Sequence, residues 1–186
     1  GKWDPADLAP LAHCHAFTPN ALEATAYTRT DSPGRAVRAL AEMVPLAVVT
    51  DGVDGAYAID ASTGEEAFCP AVPVRAIDTT GAGDVFAAGL VLGTLAQWPL
   101  EQRLRFASLC SALAVQQFGG SLAAPGWGDI TDWWRHLSDG AADGDLRAAY
   151  TRGGYEFLDG IVPDHPVLGR RRAQGTFALR SDAGRH

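Results

Sequence analysis

Between His13 and Gly120 the apolar positions switch repeatedly between short strand-like runs and longer helical spacings. Ala12 to Thr18 reads as a strand running to Pro19, and Ala21 to Thr28 as a short helix. "SPGRAVRALAEMV", starting at Ser32, carries apolar residues at helical spacing, and "LAVVT", Leu46 to Thr50, is the continuous apolar run of a buried strand. Two Asp-Gly-type turns follow in "TDGVDG", and then "AYAI", "EAFC" and "VPVRAI" read as antiparallel or edge strands. Asp84 to Gln97 and Leu100 to Gln117 predict two long helices. Strands alternating with helices of this length indicate an α/β sandwich with a largely parallel sheet.

The pattern weakens after about Leu137, where "SDGAADGD" is linker-like and the remainder shows little sustained periodicity. The expected division is residues 1–136 as one domain and 137–186 as an irregular tail. At 186 residues and 47% hydrophobic, the chain is long enough for one sizeable core. Its only methionine is Met43 and its start, "GKWDPADLAPL", has no cleavable apolar leader, so it reads as a piece of a longer polypeptide.

A net charge of −7 argues against nucleic acid or an anionic membrane as the main partner, since both select clustered Lys and Arg. Arg170 to Arg172 is too short a run to change that. Three widely spaced cysteines, Cys14, Cys69 and Cys110, suit reduced thiols in a soluble cytoplasmic protein. "HCH", His13 to His15, resembles a metal site, but neighbours on a strand face opposite ways and no third ligand is close in sequence. Trp133 and Trp134 are expected to cover the core beside the last helix.

Chemistry concentrates in "DTTGAGD", Asp78 to Asp84. Gly81 and Gly83 bring bare backbone to the first turn of a helix, where unpaired N–H groups and the positive end of the helix dipole converge on an anion. Asp84 would sit beside a transferring phosphoryl group, as proton acceptor for an attacking alcohol. Read without a ligand, the same string is a glycine turn with an acid favourably placed in the first helical turn. "TPNALEA" offers Asn20 and Glu23 three apart, which by itself is a capping box. "VVTDGVDGAYAI" ends a buried strand in Thr50, Gly52 and Gly55, which a hairpin alone would also explain.

From Asp78 to Leu90, "DTTGAGDVFAAGL" closely resembles the C-terminal signature of the PfkB, or ribokinase-like, family of carbohydrate and nucleoside kinases. The resemblance runs from about Trp3 to Ile130, four motifs in consistent order. It implies a ribokinase-like three-layer α/β/α sandwich, seen as a C-terminal portion without the N-terminal part and lid. It implies an anion hole at Gly81, Ala82 and Gly83 with Asp84 as catalytic base. "PNALE" is similar to the family's magnesium and phosphate motif, which implies Mg²⁺ near Asn20 and Glu23. "TDGVDG" resembles its nucleotide stretch, implying ATP contacts at Thr50, Gly52 and Gly55. "FASLCSALAVQQFGG" resembles the closing helix and loop, implying adenine contacts at Ser108 or Cys110 and a K⁺ site at Asp78, Thr80, Ala114 and Gly119. Plain core packing explains that last helix nearly as well. The implied partner is a small-molecule sugar or sugar acid, and a homodimer would form through a part outside this segment. The alternatives are a nucleoside kinase and a non-catalytic nucleotide-binding paralogue.

Overall fold

The computed structural model of the chain describes residues 4–162. It divides into two compact units, one made of Gly1–Val74 with Gly83–Ala112, the other of Arg75–Ala82 with the segment from Leu113 onward.

The first unit is organised around β2 (Leu46–Thr50), which pairs parallel with β1 (Ala16–Phe17) and antiparallel with β3 (Ala56–Asp60). β4 (Glu65–Cys69) completes a sheet of order β1-β2-β3-β4. Leu46 to Val49 are all buried because the strand has a core on each face. Successive side chains point to opposite sides. Ala47 and Val49 therefore meet α1 (Ala21–Thr28), α2 (Pro33–Ala41) and a 3₁₀ helix, Pro5–His13, through Ala24, Ala36, Val37, Leu40, Leu8 and Leu11. Leu46 and Val48 meet α3 (Ala82–Leu95) and α4 (Leu100–Ala114) through Phe86, Leu90, Leu104 and Ala107. These three layers are the α/β/α sandwich expected from the sequence.

Three details differ from the expectation. The sheet is mixed rather than largely parallel: among the described residues only β1–β2 is a parallel strand pair, because "TDGVDG" and the turn after Asp60 close tight hairpins, and a tight hairpin forces antiparallel neighbours. "VPVRAI" forms no strand, as Pro73 cannot donate to a ladder. The strand expected from Ala12 shrinks to Ala16–Phe17, because Leu8 and Leu11 are three apart and a 3₁₀ helix stacks that spacing into the core.

In the second unit α5 (Trp127–Ala142) packs on α6 (Leu146–Gly153), and the 3₁₀ helix Glu156–Gly160 follows. Within the segment from residue 137, where the sequence suggests an irregular tail, α5 continues to Ala142 and α6 follows, and residues 163–186 lie outside the described residues. Asp145 starts α6 by accepting the N–H groups of Arg147 and Ala148 at 2.8 and 3.2 Å. Trp134, buried as expected, donates its indole N–H to Asp159 at 2.8 Å and lies under the Arg152 guanidinium. Trp133 meets Tyr155 edge to face. Arg170 to Arg172 lie outside the described residues.

Candidate active site

Asn20 and Thr50 are brought together at the carboxyl ends of β1 and β2, the end of an open α/β sheet where ligands bind. Thr50 N–H donates to Pro19 O at 3.1 Å, and Asn20 pairs with Thr50 as an isolated parallel bridge. Asn20 caps α1. Its Oδ1 accepts Glu23 N–H at 2.9 Å, and Glu23 Oε2 accepts Asn20 N–H at 3.0 Å. The capping box of the sequence reading is therefore formed. It engages one oxygen of the Glu23 carboxylate, a group with room for about four hydrogen bonds.

After Thr50 the chain makes a 3₁₀ turn, Gly52–Asp54, closed by Asp51 N–H donating to Gly55 O at 2.8 Å. The two glycines differ in kind. Gly52 is exposed with open space above its α-carbon. Gly55 is buried, and a Cβ there would lie 2.2 Å from Cys69 O, so close packing on β4 demands a glycine whatever binds nearby. On α4, Ser108 is half-buried and Cys110 is buried, its thiol pushed up to about 12 by that burial. Cys110 is thus a neutral, apolar wall rather than a nucleophile.

The turn that opens α3 is held from the second unit's own loop. Ile77 and Asp78 both donate their N–H groups to Val115 O, at 2.7 and 3.1 Å. The Asp78 carboxyl is kept below the usual carboxylate range by hydrogen bonds, first from the Thr80 hydroxyl, then from Thr80 N–H, with Gly119 N–H adding to them. Asp78, Thr80 and Gly119 are thereby gathered around one carboxylate. Ala114 O accepts Gln117 N–H at 3.2 Å, and it is the neighbouring Val115 carbonyl that meets the turn. Gly81 has φ +72°, a conformation costly for any residue with a Cβ. Ala82 begins the helix, with its N–H on Thr79 O, and Gly83 and Asp84 stand exposed in the first turn. Val115 and Ser121, which touches Gly81, escaped the sequence reading because neither side-chain type signals a backbone contact.

His13, Cys14 and His15 are all exposed, and among the described residues no group of three or more His, Cys, Asp or Glu could hold a metal ion. No described helix is long and apolar enough to cross a membrane. None of the three cysteines forms a disulfide.

A sheet sandwiched between helices, with polar groups at its strand ends, defines an α/β protein. The chain belongs to the pfkB family of carbohydrate kinases, whose profile matches residues 2–126. It is 36% identical over 136 residues to a ribokinase of Schizosaccharomyces pombe, covering 66% of this chain and 42% of that protein. Among solved structures, an adenosine kinase of Sinorhizobium meliloti shares 28% identity and a TM-score of 0.56, over 62% of this chain and 36% of the other. A Vibrio cholerae fructokinase double mutant bound to fructose, ADP and potassium shares 29% identity and a TM-score of 0.53, over 60% and 38%. The chain thus spans less than half the length of these proteins.

Proposed function

We propose that the complete protein is an ATP-dependent kinase that moves the γ-phosphoryl group to a hydroxyl, preferentially a hydroxymethyl, of a sugar or sugar acid. The observation that carries this reading is the opening of α3. There a left-handed Gly81 leads into a helix N-terminus with Asp84 exposed in its first turn, within a chain of the pfkB family.

The Gly83 N–H would hold a phosphoryl oxygen, joined by the Ala82 N–H as it turns from Thr79 O, where fixed dipoles are worth most in a transfer that is mainly electrostatic. The Asp84 carboxylate takes the alcohol proton as that oxygen bonds to the γ-phosphorus. The bond from the γ-phosphorus to the bridging oxygen breaks, and ADP leaves with the electron pair. Thr50 and Gly52 would receive the nucleotide phosphates, and Gly55 would keep the backbone low beneath them. Ser108, with Cys110 behind it, would border the adenine. When bound, Mg²⁺ neutralises charge on the β- and γ-phosphoryl oxygens. Asn20 and Glu23 fit it, since Mg²⁺ keeps several waters and needs few carboxylates. The Asp78 carboxylate, with Thr80, Ala114 and Gly119, is the candidate for K⁺.

The test is ADP release by the complete protein with Mg-ATP across pentoses, hexoses, sugar acids and nucleosides, with Asp84→Asn beside it. Stimulation by a sugar or sugar acid, lost in the variant, is the expected outcome. Stimulation by nucleosides alone would favour the second reading, which the likeness to adenosine kinase supports. No stimulation by any acceptor would overturn both.

A further inference from the structure

Gly81 lies against a loop that arrives from far along the chain. An ideal Cβ on Gly81 would sit 2.5 Å from Ser121 N, 2.8 Å from Ser121 Oγ and 2.9 Å from the Gly120 carbonyl carbon. The serine backbone and hydroxyl therefore fill the space above the glycine α-carbon. On the other side the turn is pinned by Val115 O at residues 77 and 78, and by the Asp78 carboxylate on Thr80 and Gly119. Gly81 is the joint between this pinned segment and the helix. Glycine passes between positive and negative φ at little cost. A change at this joint would turn the peptide plane that carries the next N–H.

We propose that Ser121 is a positioning residue for the phosphate turn. Resting on the reading of that turn as a phosphate cradle, the inference is that Ser121 wedges Gly81 in its left-handed conformation and so keeps the following N–H groups aimed. The loop is itself firm: Leu122 N–H donates to Gly119 O at 3.1 Å and Ala124 N–H to Ser121 O at 3.2 Å. Ser121 is exposed, so its side chain contributes little core packing.

The experiment compares Ser121→Ala and Ser121→Thr in the complete protein, reading kcat, KM for the acceptor, thermal midpoint and amide hydrogen exchange across Thr80 to Gly83. Alanine keeps the backbone contact and removes the hydroxyl. The expected loss in kcat is about tenfold, smaller than the ~10²-fold that an ångström-scale misplacement can bring. Acceptor KM and thermal midpoint stay at wild-type values, exchange at Ala82 and Gly83 quickens, and threonine restores both kcat and exchange. Wild-type kcat in Ser121→Ala, or a lost kcat with unchanged exchange, overturns the proposal. Failure of the underlying reading looks different, with Asp84→Asn still turning over or the wild-type protein using no acceptor. Exchange then decides alone: faster exchange in Ser121→Ala keeps the wedge, and unchanged exchange removes it.

Discussion

Asp84 and Glu23 are both carboxylates in the first turn of a helix, and the helix dipole favours each of them with no ligand present. Substitutions that spare the helix separate the roles. Asp84→Asn keeps shape and removes the proposed proton acceptor, so kcat should fall by ~10²- to 10⁴-fold with an unchanged melt. Near-wild-type turnover would sink the assignment. Glu23→Gln should keep the capping box, since glutamine accepts the same N–H, while raising the Mg²⁺ concentration needed for half-maximal rate. Asn20→Ala, by contrast, removes the cap and should cost about 1 kcal/mol in denaturant unfolding. Equal stability losses in Glu23→Gln and Asn20→Ala would mean the carboxylate is only a cap. At this scale the sequence was readable where a turn is one continuous string, as from Asp78 to Asp84. Its partners were not readable, because Val115 and Ser121 reach the turn through main-chain atoms that every residue possesses.

Among elements, the end of β3 is tied to α4 by one ion pair. Asp60 Oδ2 accepts from Arg103 at 3.1 Å, its Oδ1 takes the N–H and hydroxyl of Ser62, and Arg103 also donates to Trp98 O. Both side chains are nearly buried, at 8% and 12% exposure. Burial, the largest single influence, pushes the Asp60 carboxyl up. Hydrogen bonds from the Ser62 hydroxyl, Ser62 N–H and Arg103, with the Arg103 charge, outweigh it and hold the carboxyl low. An acid with a depressed folded value stabilises the fold above its unfolded value and loses that contribution as pH falls through the folded one. The stability gap between wild type and Asp60→Asn should therefore be full near neutrality and close below about pH 4. A gap independent of pH would remove the ionic explanation. Arg103→Met, which strands the acid, should cost ~3 kcal/mol or more at neutral pH. Elements with a two-sided apolar run, such as β2, could be read from sequence. α6 could not, because its eight residues form by packing on α5 and by the Asp145 cap rather than from their own periodicity.

For the whole molecule, α3 raises a matter of scale. One face carries Phe86, Leu90 and Gly93 into the core, while Val91 and Leu95 stand 56% and 80% exposed on the other. A helix apolar all round belongs in the interior of something larger, and the relatives are more than twice as long as the matched region. The 186 residues alone should therefore bind a hydrophobic dye and scatter light on warming, and Val91→Glu with Leu95→Lys should reduce both. A clean cooperative melt of the unaltered chain without dye binding would contradict this. The net charge of −7 favours solubility without covering that face.

The placement of the three cysteine thiols makes the molecule its own stopwatch. Cys14 lies at the surface, Cys69 sits in the core against α3 and α4, and Cys110 is buried on α4. With its thiol at about 12, Cys110 is thiolate to only roughly one part in 10⁵ at neutral pH. A thiol reagent added to the native chain should thus consume one thiol at once and the other two only as the fold opens around them. The delay between those steps records how often the buried parts of the fold open, without any label or engineered probe.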